Sequence, residues 1–201
     1  MSEVKHEKET FKSIFLKWVI GRWSTATVVG VAIGAALFGV LMNYGGITIF
    51  TNTKLSTAYI IPVIVGGLFG AGPALLVGFL GNVFADFIGG WGYWFDWSIG
   101  NGIASFFIGL LPLYGARIQE GIFTVKQAVI FAIVSVLGLA LAFGVVTPIF
   151  TLLIQGGELT ITYAQAYAAV ASNAAVIIIV GIPLLFIIAS RNKRKQNLVE
   201  E

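Results

Sequence analysis

The sequence predicts an all-α fold: an integral membrane bundle of six transmembrane helices with a short N-terminal amphipathic interfacial helix. Three observations predict it. Of the 201 residues, 58% are hydrophobic and 10% charged, with a mean hydropathy of +0.94, whereas a soluble domain carries about 25% charged residues. Charge-free runs recur at lengths near the roughly 20 residues that a helix needs to cross the hydrocarbon. The basic residues cluster between alternate runs, as they do when a chain crosses a membrane repeatedly.

Taken in order, residues 1–23 read as a cytoplasmic tail and interfacial helix. Phe11, Ile14, Phe15 and Trp18 repeat at helical spacing, with Lys8, Lys12 and Lys17 interleaved. This fits a helix lying on membrane lipid, rings in the headgroup layer and lysines towards anionic lipid; a docking handle for a partner is the alternative. Nothing here has the form of a cleavable signal peptide. Residues 24–190 form the transmembrane domain, with spans over 24–44, 55–71, 73–89, 97–116, 126–154 and 163–189. The second and third are short and separated only by Gly70-Ala71-Gly72-Pro73, so they form either two crossings or one kinked re-entrant pair. Residues 191–201 are a basic cytoplasmic tail.

Six crossings place both termini on one side with Lys5, Lys8, Lys12, Lys17, Arg22, Arg117, Lys126, Arg191, Lys193, Arg194 and Lys195, leaving Lys54 opposite. Positive residues stay inside, so the termini are expected in the cytoplasm of a multi-pass cell-membrane protein.

Polar chemistry is sparse and concentrated on the side of Lys54. Asp86 stands near the end of the third span with Asn82 one turn before it, on the same helical face. Acids at such depth usually face protein or a watery cavity; contact with interfacial water is the plainer reading. The following stretch, GGWGYWFDWSIGNG, places Trp91, Tyr93, Trp94, Phe95 and Trp97 around Asp96. Such rings form either a membrane-interface belt or the wall of a site that stacks a flat ring and holds an amine or ring N–H. Trp91, Trp94, Asp96 and Asn101 are the leading candidates to line a pocket with Asp86 and Asn82; Asn173 and Tyr167 are further ones. The segments 45–54 and 155–163 could close over it.

In the first span, Gly30 and Gly34, Ala32 and Ala36, and Ala35 and Gly39 are pairs of small residues four apart. They allow close helix approach in lipid, either within the bundle or with a separate membrane protein.

Several classes are excluded or unsupported. There are no cysteines and one histidine, His6, so no thiolate or H-E-x-x-H metal site exists. No G-x-x-x-x-G-K-[ST] loop is present, and no basic–aromatic surface for nucleic acid. No nucleophile stands beside a base, so the chain is not expected to be an enzyme, and no cofactor is expected.

These pieces resemble the substrate-binding S components of energy-coupling factor (ECF) vitamin transporters, in a branch without an assigned substrate. The resemblance runs from about Thr25 to Ser190. It rests on the six-span architecture, on Ala32-Ile33-Gly34-Ala35-Ala36, and on GFLGNVFADFIGGWGYWFDWSIGNGI. In that branch the third span ends in an acid followed by a Trp-rich loop, matched here by Asp86, Trp91, Trp94 and Trp97. It implies a high-affinity membrane subunit that captures a small-molecule micronutrient outside. Such a subunit associates with a transmembrane coupling protein (EcfT-type) and two cytosolic ATPases, and topples to release its cargo inward. It further implies that the stripe around Ala32, Gly34 and Ala36 contacts the coupling protein. A stand-alone small-solute permease or channel is the alternative. An acid–base membrane enzyme using Asp86 and Asp96 is a third reading.

Overall fold

The structure, a computed structural model, describes residues 20–21, 23–50 and 53–197. The interfacial helix read around Phe11–Trp18 and the end of the basic tail lie outside them. Among the described residues six helices form one bundle, and five of them are long and apolar enough to cross a membrane.

Helix α1 covers Thr25–Tyr44. Ser24 caps it, its hydroxyl accepting from the Thr27 N–H at 3.2 Å, which satisfies a donor that helix geometry leaves open. The small residues of α1 divide between two faces. Gly34, Ala35 and Gly39 are buried, whereas Ala32 and Ala36 are exposed. A Cβ on Gly34 would stand 3.0 Å from Val77 and 3.2 Å from Val65.

Gly45 ends α1, its N–H donating to the Leu41 carbonyl at 2.8 Å. A hairpin follows. Strands β1 (Gly46–Phe50) and β2 (Thr53–Ser56) pair antiparallel, with Thr48 opposite Lys54 and a bulge between Thr48 and Phe50. The β-branched run Ile47-Thr48-Ile49 suits an extended backbone. This corrects one expectation: Leu55 lies in β2 and does not begin a span. After a single 3-10 turn at Thr57–Tyr59, α2 covers only Ile60–Phe69, 10 residues. At about 1.5 Å per residue it reaches roughly half of the ~30 Å hydrocarbon thickness. The hairpin packs against the last helix over the end that α2 leaves short. Among the described residues the bundle is all-α apart from this hairpin.

Gly70 turns the chain at φ 97° into α3 (Ala71–Gly89), which ends at Gly90 in the left-handed conformation. Pro73 falls in the first turn of α3, where its missing N–H has no helical acceptor. Helix α4 (Phe95–Ile108) is prolonged by a 3-10 turn at Leu111–Tyr114. Helix α5 runs over Val125–Gln155 and α6 over Leu159–Gln196, 31 and 38 residues. Thr124 and Gln127 form a reciprocal capping box at the start of α5. Neither Pro148 nor Pro183 breaks its helix. A proline ring collides with the carbonyl four residues earlier; those carbonyls belong to Gly144 and Ile179. Both lie inside π turns, Ala142–Val146 and Ile177–Gly181, which widen the helix there.

Phe38, Tyr59, Phe131, Phe143 and Leu185 are fully or nearly fully buried in the core. Ile33, Leu137, Leu153 and Ile179 are exposed around the outside, the surface of a bundle whose solvent is lipid. One end of the bundle carries the hairpin, the α3–α4 loop and the α5–α6 turn. The opposite end carries Arg117, Lys126, Arg191, Lys193, Arg194 and Lys195, and Asn192 ties α6 to the Ile118 carbonyl there at 3.0 Å.

Candidate functional site

The site is assembled where α3 and α4 touch backbone to backbone. A Cβ on Gly78 would collide with the Asn101 carbonyl and the Ser105 hydroxyl, so only glycine lets α4 approach this closely. One turn further along α3, Asn82 and Asp86 share a face, and both are buried.

A chain of hydrogen bonds then links three helices. The Tyr59 hydroxyl donates to Asn101 Oδ1 at 2.8 Å. Asn101 Nδ2 donates to Asn82 Oδ1 at 3.0 Å and to the Trp97 carbonyl at 2.9 Å. Asn82 Nδ2 donates to Ser98 Oγ at 3.1 Å and to Asp86 Oδ2 at 3.3 Å. The Trp94 N–H donates to the same Asp86 oxygen at 2.9 Å. Each amide is engaged at both its carbonyl and its NH2 group, the condition under which buried polar groups are tolerated and rigid.

Above this floor is a cavity of about 420 Å³. Asn82, Asp86, Trp94, Trp97 and Asn101 line it from α3, α4 and the loop between them, with Trp91 at the rim. Helix α6 contributes Gln165, Ala169 and Asn173, successive turns of one face, and α5 contributes Phe143. Met42 comes from α1, and Thr48 and Lys54 from the hairpin. The Trp97 and Phe143 rings lie 5.6 Å apart, tilted by 35°. At the rim the Lys54 ammonium sits 5.3 Å from the centre of the Trp91 ring and donates to the Asn43 carbonyl at 2.8 Å.

Six of the residues singled out from the sequence thus meet around one space: Asn82, Asp86, Trp91, Trp94, Asn101 and Asn173. Asp96 and Tyr167 do not line it. Asp96 is buried in the first turn of α4 and accepts from the Thr151 hydroxyl on α5. Tyr167 is 65% exposed and rests beside the Tyr163 ring. The five rings of residues 91–97 also part company. The three tryptophans line the cavity, while Tyr93 and Phe95 are exposed and stand edge to face 6.1 Å apart.

Sequence reasoning missed Lys54, Met42, Thr48, Phe143, Gln165 and Ala169 as lining residues. Gln165 and Asn173 carried a usable signal, amides eight apart with a small residue midway. Lys54 and Thr48 fall in the segment 45–54 expected to close over the pocket, but only the hairpin shows which of its residues line it. Asn43 ties α1 to α3, its amide donating to the carbonyls of Gly39 and Ala85 at 3.0 and 2.9 Å.

Among the described residues, no three His, Cys, Asp or Glu side chains come together as a metal site. The arrangement offers amides, one carboxylate, one ammonium and aromatic faces. That is equipment for holding an organic molecule.

A family model described as "ECF-type riboflavin transporter, S component" matches residues 22–190. A UPF0397 protein of Vibrio atlanticus is 34% identical over 180 residues, 89% of this chain and 98% of the relative. UPF0397 proteins of Aliivibrio salmonicida and Aliivibrio fischeri are each 36% identical over 179 residues, 88% of this chain and 97% of each relative. No solved structure matches the chain.

Proposed function

The chain belongs to the family of S components of ECF-type riboflavin transporters, and on that premise we propose that its cavity captures a ring-bearing micronutrient from outside the cell. As an S component it is a substrate-binding, multi-pass membrane subunit of a transporter and not an enzyme. The observation that carries the proposal is the cavity itself. It has indoles for walls and a hydrogen-bonded floor of Asn82, Asp86 and Asn101, at the end opposite the basic cluster. Its volume, about 420 Å³, falls within the roughly 300–1,000 Å³ usual for small organic ligands.

In this reading the basic end is cytoplasmic, because positive residues are retained inside. The cargo is a vitamin or similar compound with a flat ring, stacked on Trp94 or Trp97. Asp86 receives an amine or ring N–H. Riboflavin, which the family description names, is the reference compound for a neutral flat ring. Energy comes from other chains: a transmembrane coupling protein that meets Ala32 and Ala36 on the exposed face of α1, and two cytosolic ATPases. Toppling of the bundle delivers the cargo inward.

Mass spectrometry of small molecules retained by the purified protein tests the proposal. A retained ring compound should quench tryptophan fluorescence and dissociate readily from Trp94→Ala. Uptake into vesicles by this chain alone, without ATP or partners, would instead favour a permease.

A further inference from the structure

The cavity contains two opposite charges that do not neutralise each other. Lys54 and Asp86 both line it, yet among the described residues no ion pair joins them, and the ion pair that does form, Arg117 with Glu120, is at the other end. Each is held apart by its own partners. The Lys54 ammonium has three donors and uses one on the Asn43 carbonyl at 2.8 Å, with the Trp91 ring on another side at 5.3 Å. Asp86 accepts from Trp94 N–H and Asn82 Nδ2, both on Oδ2, and Oδ1 has no protein donor among the described residues.

While the cavity is wet, water completes both shells. A bound molecule displaces that water. An ammonium left with one carbonyl and a ring face, in a space walled by indoles and Phe143, would be a desolvated and uncompensated charge, which is strongly unfavourable. A bare carboxylate oxygen faces the same cost. A ligand that supplies acceptors to one and donors to the other removes both costs at once.

We infer that the cargo is amphoteric: a flat ring whose N–H or amine edge meets Asp86 and whose anionic group, a carboxylate or its equivalent, meets Lys54 at the rim. This rests on the cavity being the substrate site and adds the charge pattern of what fills it. Lys54 then determines specificity. It rides on the hairpin over Trp91, so the anionic group of the ligand draws the hairpin and the α3–α4 loop onto the same molecule. Neutral rings fill the walls without that contact.

Three bicyclic probes of similar size separate the contributions: pterin-6-carboxylate carries donors and an acid, pterin carries the donors alone, and 2-naphthoate carries the acid alone. Binding is read by tryptophan quenching of the full chain in lipid nanodiscs. In the wild type, pterin-6-carboxylate should bind about tenfold to a hundredfold more tightly than either of the others, the factor expected of one charge-assisted hydrogen bond. Lys54→Gln should abolish the advantage over pterin, and Lys54→Arg should retain most of it. Equal binding of pterin and pterin-6-carboxylate, or an advantage that survives Lys54→Gln, overturns the inference and leaves the site standing. Quenching by none of the probes, or quenching indifferent to Ala169→Trp, which fills the cavity, overturns the site as well.

Discussion

Asn101 Nδ2 donates to Asn82 Oδ1 across 3.0 Å, joining α4 to α3 by two amides that are each almost wholly buried. The bond is the middle of a chain that begins at Tyr59, in the 3-10 turn leading into α2, and ends at Asp86. It makes the floor of the cavity a single polar unit shared by three helices. In a bundle whose core is mostly apolar, such a unit specifies how the helices are aligned along their axes.

Cutting that unit should therefore cost more than one hydrogen bond. Asn101→Leu leaves the Tyr59 hydroxyl and the Asn82 carbonyl without partners in a buried site, and each stranded group costs about 1–3 kcal/mol. The expected result is a clear fall in the thermal midpoint of the protein in detergent, together with loss of ligand. Unchanged stability would mean that water takes over both bonds and the network has no structural role.

The aromatic cluster should split in function as it does in space. Trp94→Ala removes a ring that lines the cavity, and loss of one stacking contact of about 0.5–1.5 kcal/mol weakens a flat ligand roughly twofold to tenfold. Tyr93→Ala removes an exposed ring that does not line the cavity and should leave affinity within about twofold. Titration of the retained ligand against both variants decides it, and equal losses would count against a binding role for the indoles.

Asp96 should prove structural. It is buried to 1% exposure, receives the Thr151 hydroxyl, and holds α4 to a second π turn of α5, Thr151–Gln155. Thr151→Val takes that donor from a buried acid, a loss of about 1.5–3 kcal/mol of stability. Ligand affinity measured below the unfolding transition should be untouched. A selective loss of binding would move Asp96 into the site.

The two faces of α1 predict opposite phenotypes. Ala32→Trp, on the exposed face, should leave folding and ligand binding intact while preventing co-purification with the coupling protein. Gly34→Leu drives a side chain into Val77 and Val65, overpacking that costs about 1–3 kcal/mol, and should lower the thermal midpoint before it affects any partner. Co-purification that survives Ala32→Trp would place the partner elsewhere on the bundle.

How far the site was legible follows from the contrast each residue had with its neighbours. Asn82, Asp86, Asn101 and Asn173 are polar residues in apolar helices, so they stand out wherever they point. Phe143 and Met42 are apolar among apolar residues and gave no sign of lining anything. Tyr167 was misplaced for a related reason. Helix α6 has residues 165, 169 and 173 on one face, but an aromatic residue at 167 looks equally fit for a pocket until that face is known.

Hydropathy and the order of the charges were enough to establish a multi-pass membrane bundle with one strongly basic end and a ring-rich, acidic segment at the other. Both are sums along the chain, and lipid reads sums. Which side of each helix turns inward was another matter, because protein core and lipid are alike in polarity and the helices carry little periodic contrast between them. Packing decided it. The glycine contact at Gly78, the hairpin that swings Lys54 over Trp91, and the Thr151 hydroxyl that claims Asp96 all depend on residues far apart in sequence, and only their meeting defines the cavity.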